Sequence, residues 1–320
     1  MFNFIIYNLT VIIKPKKGLY NKEKTMLTRK QFDVLVYLER TKTETTQRDI
    51  AEATGMSLGS VHRTLSSLSD ENLIVDNNIT DKGYKVLEEY RVKRAVFIAA
   101  GFGHRLVPIT LNTPKPLVRV KGSRIIDTMI DAAVSAGIEE IIIVRGYLSE
   151  QFDQLLYKYP NIKFIENPAY NEANNISSAM CARYLFSNSY ICEADLIIKN
   201  KKLISKYQFN SNYCGVKCER TDDWCLYVSK GRISGVSVGG LNAYRMVGIS
   251  YWTKEDGKKL ADCMQKVYEM PGGKEKYWDS VPLDVCKDEF NLSVRECSFD
   301  DFVEIDTFNE LKAYDPAYGA

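Results

Sequence analysis

The sequence predicts an α/β protein in which a small helical domain precedes a larger domain built on a doubly wound mixed sheet. Three observations lead to this fold class. The 320 residues give room for about two domains. From residue 93 onward, apolar strand patterns alternate with helix patterns, as they do in a doubly wound sheet. Residues 26–92 carry short amphipathic helices and one hairpin pattern instead. We therefore expect domains at 26–92 and 93–320.

The first 25 residues fit neither domain. They are largely apolar up to Ile13, and three lysines follow by residue 17. The apolar run is too short to span a bilayer, and its charge follows the run rather than preceding it, which does not suit a signal peptide. We interpret residues 1–25 as a disordered leader or a misread start upstream of Met26.

The composition says more about the cellular compartment of the protein than about its binding partners. The net charge of +2 favours no class of partner, and the 45% hydrophobic content is ordinary for a globular protein. Eight cysteines without a signal peptide indicate reduced thiols. Cys214 and Cys218 do not suggest zinc, since the chain has only two histidines and no second cysteine pair at ligand spacing. We expect a cytoplasmic protein without a membrane partner.

A glycine loop organises the second domain. The apolar run at 95–100 predicts a buried parallel strand that leads directly into Gly101 and Gly103. Glycines there let backbone N–H groups approach a phosphate chain, and Arg105 and Lys115 add positive charge. A dinucleotide-binding loop would carry a third glycine, and a P-loop would close with Gly-Lys-Ser/Thr. Neither pattern is present.

The whole string resembles the signature of the nucleotidyltransferases that join an NTP to a sugar phosphate or an alcohol phosphate. It reads Gly-x-Gly-x-Arg-x-x-Pro-x-Thr followed by Pro-Lys-Pro, at 101–110 and 114–116. The resemblance implies a Rossmann-like fold and catalytic roles for Arg105 and Lys115. A lysine held between prolines can stabilise charge on an α-phosphate. The nucleotide-binding residues that the resemblance implies are Ala99, Ala100, Gly101, Gly103, Arg105, Lys115, Asn174 and Ser177.

Two acidic strand ends predict a magnesium site. Nucleotidyl transfer moves charge onto a pyrophosphate leaving group, and a divalent cation held by carboxylates offsets that charge. The segments at 190–195 and 303–307 are apolar strand patterns that end in acids. They resemble the two metal-binding strands of the same family, with Asp195 and Asp306 as ligands of Mg²⁺. Roles for Glu193 and Glu304 stay open.

Aromatic residues interspersed with acids suggest the acceptor. Aromatic faces beside a carboxylate suit a quaternary ammonium, whereas sugar phosphates need amides and carboxylates for their hydroxyl groups. The order of these residues resembles the bacterial CTP:phosphocholine cytidylyltransferases over about 93–314. The resemblance implies that the acceptor-binding residues are Asp223, Trp224, Tyr251, Trp252, Tyr277, Trp278 and Asp279. Each aromatic residue could instead belong to the core.

The first domain resembles the winged helix-turn-helix family. Thr28, Thr46 and Ser57 are predicted helix caps, and Gly55 is the predicted turn between the second and third helices. The resemblance makes 57–69 the recognition helix and Asn77–Asn78 the tip of the wing. The candidate DNA contacts are Ser60, His62, Arg63 and Thr64.

The charge of this domain leaves its partner open. Residues 26–92 hold nine Lys and Arg against eleven Asp and Glu, a net charge of −2, whereas DNA readers usually carry a basic face. A homodimer or a docked protein is the alternative, and a dimeric winged helix binds DNA more tightly than its monomer charge suggests.

The combined expectation is a Mg²⁺-dependent enzyme that converts CTP and phosphocholine to CDP-choline and pyrophosphate. The alternative acceptors are another small aminoalkyl phosphate or phosphonate, such as 2-aminoethylphosphonate, and a sugar 1-phosphate. The alternative of another class is a DNA-binding transcription regulator whose transferase-like domain senses a ligand. The four residues Arg105, Lys115, Asp195 and Asp306 favour catalysis over sensing.

Overall fold

The computed structural model describes residues 26–41 and 45–319, so the predicted leader lies outside the described residues. The first domain contains the elements expected of a winged helix. They are α1 (Arg29–Arg40), α2 (Gln47–Thr54), α3 (Leu58–Asp70), β1 (Ile74–Val75), β2 (Asn78–Ile79) and α4 (Asp81–Leu87).

The predicted caps form in this domain. The hydroxyl groups of Thr28, Thr46 and Ser57 accept hydrogen bonds from the first turns of α1, α2 and α3. Gly55 ends α2 in the left-handed region at φ 67°, which a residue with a Cβ adopts only under strain.

The wing differs slightly from the prediction. Asn78 pairs with Val75 in the hairpin ladder, so it belongs to β2. The turn consists of Asp76 and Asn77, at φ 48° and 61°. Positive φ at both central positions is the geometry of a tight two-residue hairpin turn. The tip of the wing is therefore Asp76–Asn77 and not Asn77–Asn78.

The second domain alternates strands and helices and then adds a long hairpin. Its elements are β3 (Arg94–Ile98), β4 (Arg119–Val120), β5 (Ser123–Arg124), α5 (Ile125–Ser135), β6 (Glu140–Arg145), β7 (Lys163–Glu166), α6 (Ile176–Ala182), β8 (Ser189–Glu193), β9 (Leu196–Ile198), β10 (Asn212–Ser229), β11 (Arg232–Trp252), α7 (Lys254–Tyr268), β12 (Ser293–Cys297), β13 (Phe302–Glu304) and α8 (Phe308–Tyr314). The segment Ser149–Tyr157 is a 3₁₀ helix.

The main sheet has seven strands in the order β12-β10-β11-β8-β3-β6-β7. Strands β8, β3, β6 and β7 run parallel, whereas β11 is antiparallel to both β8 and β10. The predicted mixed α/β sheet is thus confirmed. In the described part of the chain, no helix is both long and apolar enough to cross a membrane.

Both faces of β3, in the centre of the sheet, are buried. In β3, Ala95 and Phe97 pack into one hydrophobic cluster with α5, while Val96 and Ile98 pack into a second cluster with α6 and α7. This burial explains why the strand reads as a continuous apolar run. The glycine loop follows β3 at the end of the sheet where the carboxyl ends of the parallel strands lie, and a ligand can reach the loop there.

The two domains share packed residues. Tyr207 of the second domain belongs to the core of the winged helix, and its hydroxyl donates to Glu88 at 2.8 Å. Phe209 stacks on Tyr90 with the ring centroids 5.7 Å apart. Lys206 forms an ion pair with Glu39 at 2.5 Å. The winged helix is thus joined to the larger domain by apolar packing as well as by the chain.

Candidate active site

A cavity of about 300 Å³ lies at the carboxyl end of β3. Ala99, Ala100, Gly101 and Gly103 of the glycine loop line it, as predicted for a nucleotide site. Asn174 and Ser177, the other predicted nucleotide ligands, line the same cavity from the start of α6. The structure thus brings the separate sequence motifs to one opening in the molecule.

The glycine loop closes tightly over the Pro-Lys-Pro turn. Gly103 has φ 70°, and a Cβ at this position would lie 3.0 Å from the Cβ of Lys115. The hydroxyl of Thr110 donates to the carbonyl of Gly103 at 2.9 Å. Position 103 therefore requires glycine for two reasons: its backbone conformation and the close approach of Lys115.

Lys115 lies between the two predicted metal ligands. Its Nζ is 3.0 Å from Oδ2 of Asp195 and 2.8 Å from Oδ1 of Asp306. Burial lowers the pKa of Lys115, but the two carboxylates outweigh burial and hold that pKa above its ordinary value. The side chain therefore stays charged. Arg105 also reaches Oδ1 of Asp306, at 2.9 Å.

Three carboxylates form a group that suits a divalent cation. One oxygen each of Asp195, Glu304 and Asp306 lies within 4.8 Å of the others. Oδ1 of Asp195 is buried and has no hydrogen-bond partner among the described residues. A buried carboxylate oxygen without a partner is costly unless a ligand satisfies it. Because Mg²⁺ prefers such oxygen ligands, these residues fit the predicted metal.

The pKa values of two acids in this region, Glu193 next to the group and Glu304 within it, are raised. Burial, together with the nearby Asp195 and Asp279, raises the pKa of Glu193 well above its ordinary value. Burial, together with Asp195 and Asp306, raises the pKa of Glu304 to about 8, although Arg245 opposes the shift. Both shifts favour the protonated form of these carboxyl groups, which limits the negative charge next to Asp195 when no cation is bound.

Some of the predicted acceptor residues lie near this acidic region. Asn175, which lines the cavity, donates to Glu193 at 3.3 Å and accepts from the backbone N–H of Trp278 at 2.9 Å. Asn175 therefore holds the segment that contains Tyr277, Trp278 and Asp279 close to the cavity.

The ring of Trp224 meets the ring of Tyr277 edge to face, with the centroids 5.7 Å apart. Trp278 itself is buried and stacks on Tyr213. Asp223 lies on the other side of the acids, where it accepts from Arg245 at 3.0 Å.

Tyr251 and Trp252 are not available in this structure to form an aromatic cage. Both side chains are almost fully buried, with 1% and 0% exposure. Tyr251 packs against Tyr190, and Trp252 packs against Tyr213 and Trp278. Successive side chains of a strand point to opposite faces, and both faces of β11 are covered here. These two residues stabilise the core.

The candidate DNA contacts also separate into two groups. Ser60 and Thr64 are each only 7% exposed, and the hydroxyl of Thr64 donates to the carbonyl of Ser60. They lie on the inner face of α3 with Leu65, so they are unsuited to DNA contact. His62 and Arg63 are exposed on the outer face.

Sequence reasoning missed Asn167 and Arg245. Arg245 bridges Asp223, which lies 22 residues before it in the chain, and Glu304, which lies 59 residues after it. Nothing local in the sequence indicates that bridge. Asn167 directly follows the edge strand β7, and a polar residue at the carboxyl end of a parallel strand is a signal that could have indicated its position.

The fold and the site together define a nucleotidyltransferase. A family model described as nucleotidyl transferase matches residues 94–219, and one described as the MarR family matches residues 27–81. The 2-aminoethylphosphonate cytidylyltransferase of Lancefieldella rimae is 39% identical over 70% of this chain and 92% of its own length. The choline-phosphate cytidylyltransferase of Streptococcus pneumoniae is 32% identical over 68% of this chain and 95% of its own length. The chain belongs to the cytidylyltransferase group of the nucleotidyltransferases, with a MarR-family winged helix domain at its N-terminal side.

Solved structures agree with this assignment. The CTP:phosphocholine cytidylyltransferase of Streptococcus pneumoniae superimposes with a TM-score of 0.65 at 30% identity, over 71% of this chain and 99% of that chain. The inositol-1-phosphate CTP transferase of T. maritima gives a TM-score of 0.56 at 16% identity, over 72% of this chain and 94% of that one, which shows the shared fold alone.

Proposed function

We propose that this enzyme transfers CMP from CTP to a phosphonate oxygen of 2-aminoethylphosphonate. In this reaction the acceptor oxygen forms a bond to the α-phosphorus while the bond to the β-phosphate bridging oxygen breaks. Pyrophosphate leaves with that electron pair. No covalent intermediate with the protein is needed, so the residues act by position and charge.

Lys115 is proposed to hold the α-phosphate. Its ammonium group is buried between Asp195 and Asp306, and it stays charged because both carboxylates face it. Positive charge in that place would stabilise the negative charge that grows on the α-phosphate in the transition state. A bound Mg²⁺ would add charge at the same phosphate and offset charge on the pyrophosphate. Asp195, Glu304 and Asp306 would hold it.

The observation that carries the choice of acceptor is the pair of buried acids, Glu193 and Asp279. Neither forms an ion pair with another described residue, and Asp279 is close enough to raise the pKa of Glu193. A primary ammonium donates three hydrogen bonds and suits carboxylates, whereas a quaternary ammonium donates none. The similarity to the 2-aminoethylphosphonate cytidylyltransferase of Lancefieldella rimae supports the same acceptor.

Phosphocholine is the second candidate acceptor. The edge-to-face pair of Trp224 and Tyr277 favours it, since Tyr277 is 48% exposed and offers part of an aromatic surface. The burial of Tyr251 and Trp252 leaves a smaller aromatic surface than the sequence predicts. For this reason we place phosphocholine second.

A pair of isosteric acceptors tests the role of the ammonium group. We expect the wild-type enzyme to use 2-aminoethylphosphonate at least tenfold better than n-propylphosphonate, measured as kcat/KM. Asp279→Asn should lower kcat/KM for the amine about tenfold and leave n-propylphosphonate unchanged. Asp284→Asn is the matched control, because Asp284 lies five residues further on and is exposed. Equal use of both acceptors by the wild type would contradict the proposal.

We also propose that DNA binds the winged helix through the outer face of α3. The match of residues 27–81 to the MarR family and the exposure of His62 and Arg63 support this. Arg63→Ala should weaken the binding of a fluorescent DNA duplex several-fold. The slope of the logarithm of the binding constant against the logarithm of the salt concentration should become shallower by about one. Arg48→Ala, on the exposed side of α2, serves as the control. Identical binding by wild type and Arg63→Ala would remove this role of α3.

A further inference from the structure

Asn167, Ser177 and Ser178 form a hydrogen-bonded network beside the cavity. This network determines which hydrogen-bond donors one wall of the cavity offers to a ligand. Asn167 and Tyr170 follow β7, whereas Asp195 follows β8 on the opposite side of β3. Tyr170 packs close to Ala100, since a Cβ at Gly146 would lie within 3.0 Å of both. This side of the cavity is uncharged and distinct from the acidic side, so it suits a nucleobase better than a phosphate chain.

The amide of Asn167 has one orientation. The backbone N–H of Ala169 can only donate a hydrogen bond, so the Asn167 side-chain atom that lies 2.9 Å from it must be the oxygen Oδ1. The amide nitrogen Nδ2 therefore faces α6. It lies 3.0 Å from Oγ of Ser177 and 2.9 Å from Oγ of Ser178. Asn167 itself is only 2% exposed, so both of its N–H groups are committed to these two hydroxyl groups.

The two serines then differ in what their own protons can do. Each hydroxyl oxygen accepts from Asn167, so each proton must point elsewhere. The Ser177 hydroxyl donates to the carbonyl of Asn174 at 2.8 Å. Within residues 26–41 and 45–319, no acceptor receives the hydroxyl proton of Ser178, although this side chain is only 3% exposed. Ser178 lines the cavity. A buried donor without an acceptor is unfavourable unless a ligand supplies one.

We propose that Ser178 reads the base by donating a hydrogen bond to N3 of cytosine, and that Asn167 is the positioning residue that fixes this polarity. N3 of cytosine is an unprotonated acceptor, whereas N3 of uracil carries a hydrogen. The network therefore distinguishes CTP from UTP. This inference rests on the nucleotide half of the proposed function and is independent of the acceptor.

Two serine-to-alanine variants at neighbouring positions, Ser178→Ala and Ser177→Ala, test whether the hydroxyl proton of Ser178 recognises the base. Affinities for CTP and UTP are measured by calorimetry with Mg²⁺ and without an acceptor. Ser178→Ala should weaken CTP about tenfold and leave UTP nearly unchanged, which lowers the CTP/UTP ratio. Ser177→Ala should keep the wild-type ratio, because the Ser177 proton is used within the protein. An unchanged ratio in Ser178→Ala would overturn the inference, even when the proposed transfer reaction persists.

Asn167→Asp tests whether Asn167 acts through Ser178. A carboxylate can only accept, so the Ser178 proton would turn towards it and a lone pair would face the base. The ratio should then shift towards UTP, whose N3–H can donate. A purely structural role of Asn167 would lower both affinities equally and leave the ratio unchanged. Thermal unfolding of each variant shows whether it is folded. Absence of CTP binding by the wild type would reject both this inference and the proposed nucleotide.

Discussion

Nζ of Lys115 lies 3.0 Å from Asp195 and 2.8 Å from Asp306, although these residues are 80 and 191 positions away along the chain. The three side chains come from the Pro-Lys-Pro turn, the end of β8 and the end of β13. Asp195 follows β8 of the main sheet, whereas Asp306 follows β13, which pairs with β9 in a separate two-stranded sheet. The tertiary fold rather than local sequence therefore sets the meeting point of the three side chains. This meeting point is also the point at which the proposed chemistry places the α-phosphate.

Lys115→Met should lower kcat by about 10²–10³. The proposed role of Lys115 is to stabilise charge that grows in the transition state, so the affinity for CTP should fall much less than kcat. Single-turnover rates and calorimetric binding of CTP would separate the two effects. Lys158→Met is the control, because Lys158 is half exposed and pairs with Asp131 at the surface. Loss of CTP binding with an unchanged turnover rate for the bound complex would contradict the assignment.

Asp195→Asn should weaken Mg²⁺ binding at least tenfold and abolish turnover at ordinary concentrations of Mg²⁺. The reason is that Asp195 carries a buried carboxylate oxygen that forms no hydrogen bond with any residue the structure describes, and the cation would satisfy it. Binding of Mn²⁺ by electron paramagnetic resonance gives a readout that does not depend on turnover. Asp222→Asn is the control, since Asp222 is 90% exposed and lies outside the acidic group. Equal Mn²⁺ binding by both variants would remove Asp195 from the site.

The sequence was most informative where a signal is local. The glycine loop and Asp195 each follow an apolar strand pattern, and parallel strands bring such ends to one edge. It failed at Tyr251 and Trp252, because their burial depends on Tyr190 and Trp278, which lie far away in the chain. The long hairpin that contains them was not predicted either.

The inner position of Ser60 and Thr64 shows a different limit. In a helix, the residues that face the core are fixed by the phase of the apolar positions, and small polar residues can occupy the edge of that face. Ser60 and Thr64 are polar, but they lie beside Val61 and Leu65 on the buried side of α3. Polarity alone therefore does not identify the exposed residues of α3. Ser60 and Thr64 are unsuited to DNA contact, and the exposed His62 and Arg63 remain as the candidate contacts.

The stability of the metal-free protein should fall as the pH rises from about 4 to 7. Burial raises the pKa of Asp279 to about 7 from 3.8, so the folded protein keeps a proton that the unfolded chain has already lost. Since the folded state binds more protons in this window, raising the pH favours unfolding. Above about pH 7 this contribution becomes constant.

Urea unfolding across this pH range would measure the slope. Asp279→Asn should flatten it, because an amide does not titrate. Asp284→Asn should leave it unchanged, since Asp284 is exposed. Identical slopes in wild type and Asp279→Asn would show that Asp279 does not contribute.

Phe209→Ala should loosen the winged helix from the larger domain. Phe209 packs against Phe32 and Tyr90, with ring centroids 5.4 Å and 5.7 Å away, so its removal takes aromatic contacts from the junction. We expect a loss of about 2 kcal/mol, because the side chain is only partly buried. Scanning calorimetry should show an earlier, separate transition for the winged helix. Tyr84→Ala, at a 44% exposed position, should not produce it. A single unshifted transition in Phe209→Ala would contradict a packed junction.

The most direct test of the central claim is pyrophosphate release with Mg²⁺ across a matrix of four NTPs and four acceptors. The acceptors are 2-aminoethylphosphonate, phosphoethanolamine, phosphocholine and glucose 1-phosphate. We predict release with CTP and 2-aminoethylphosphonate, lower rates with the other two amines and none with the sugar. Release with glucose 1-phosphate alone, or no release with any pair, would contradict the proposal of cytidylyl transfer to a small aminoalkyl phosphonate.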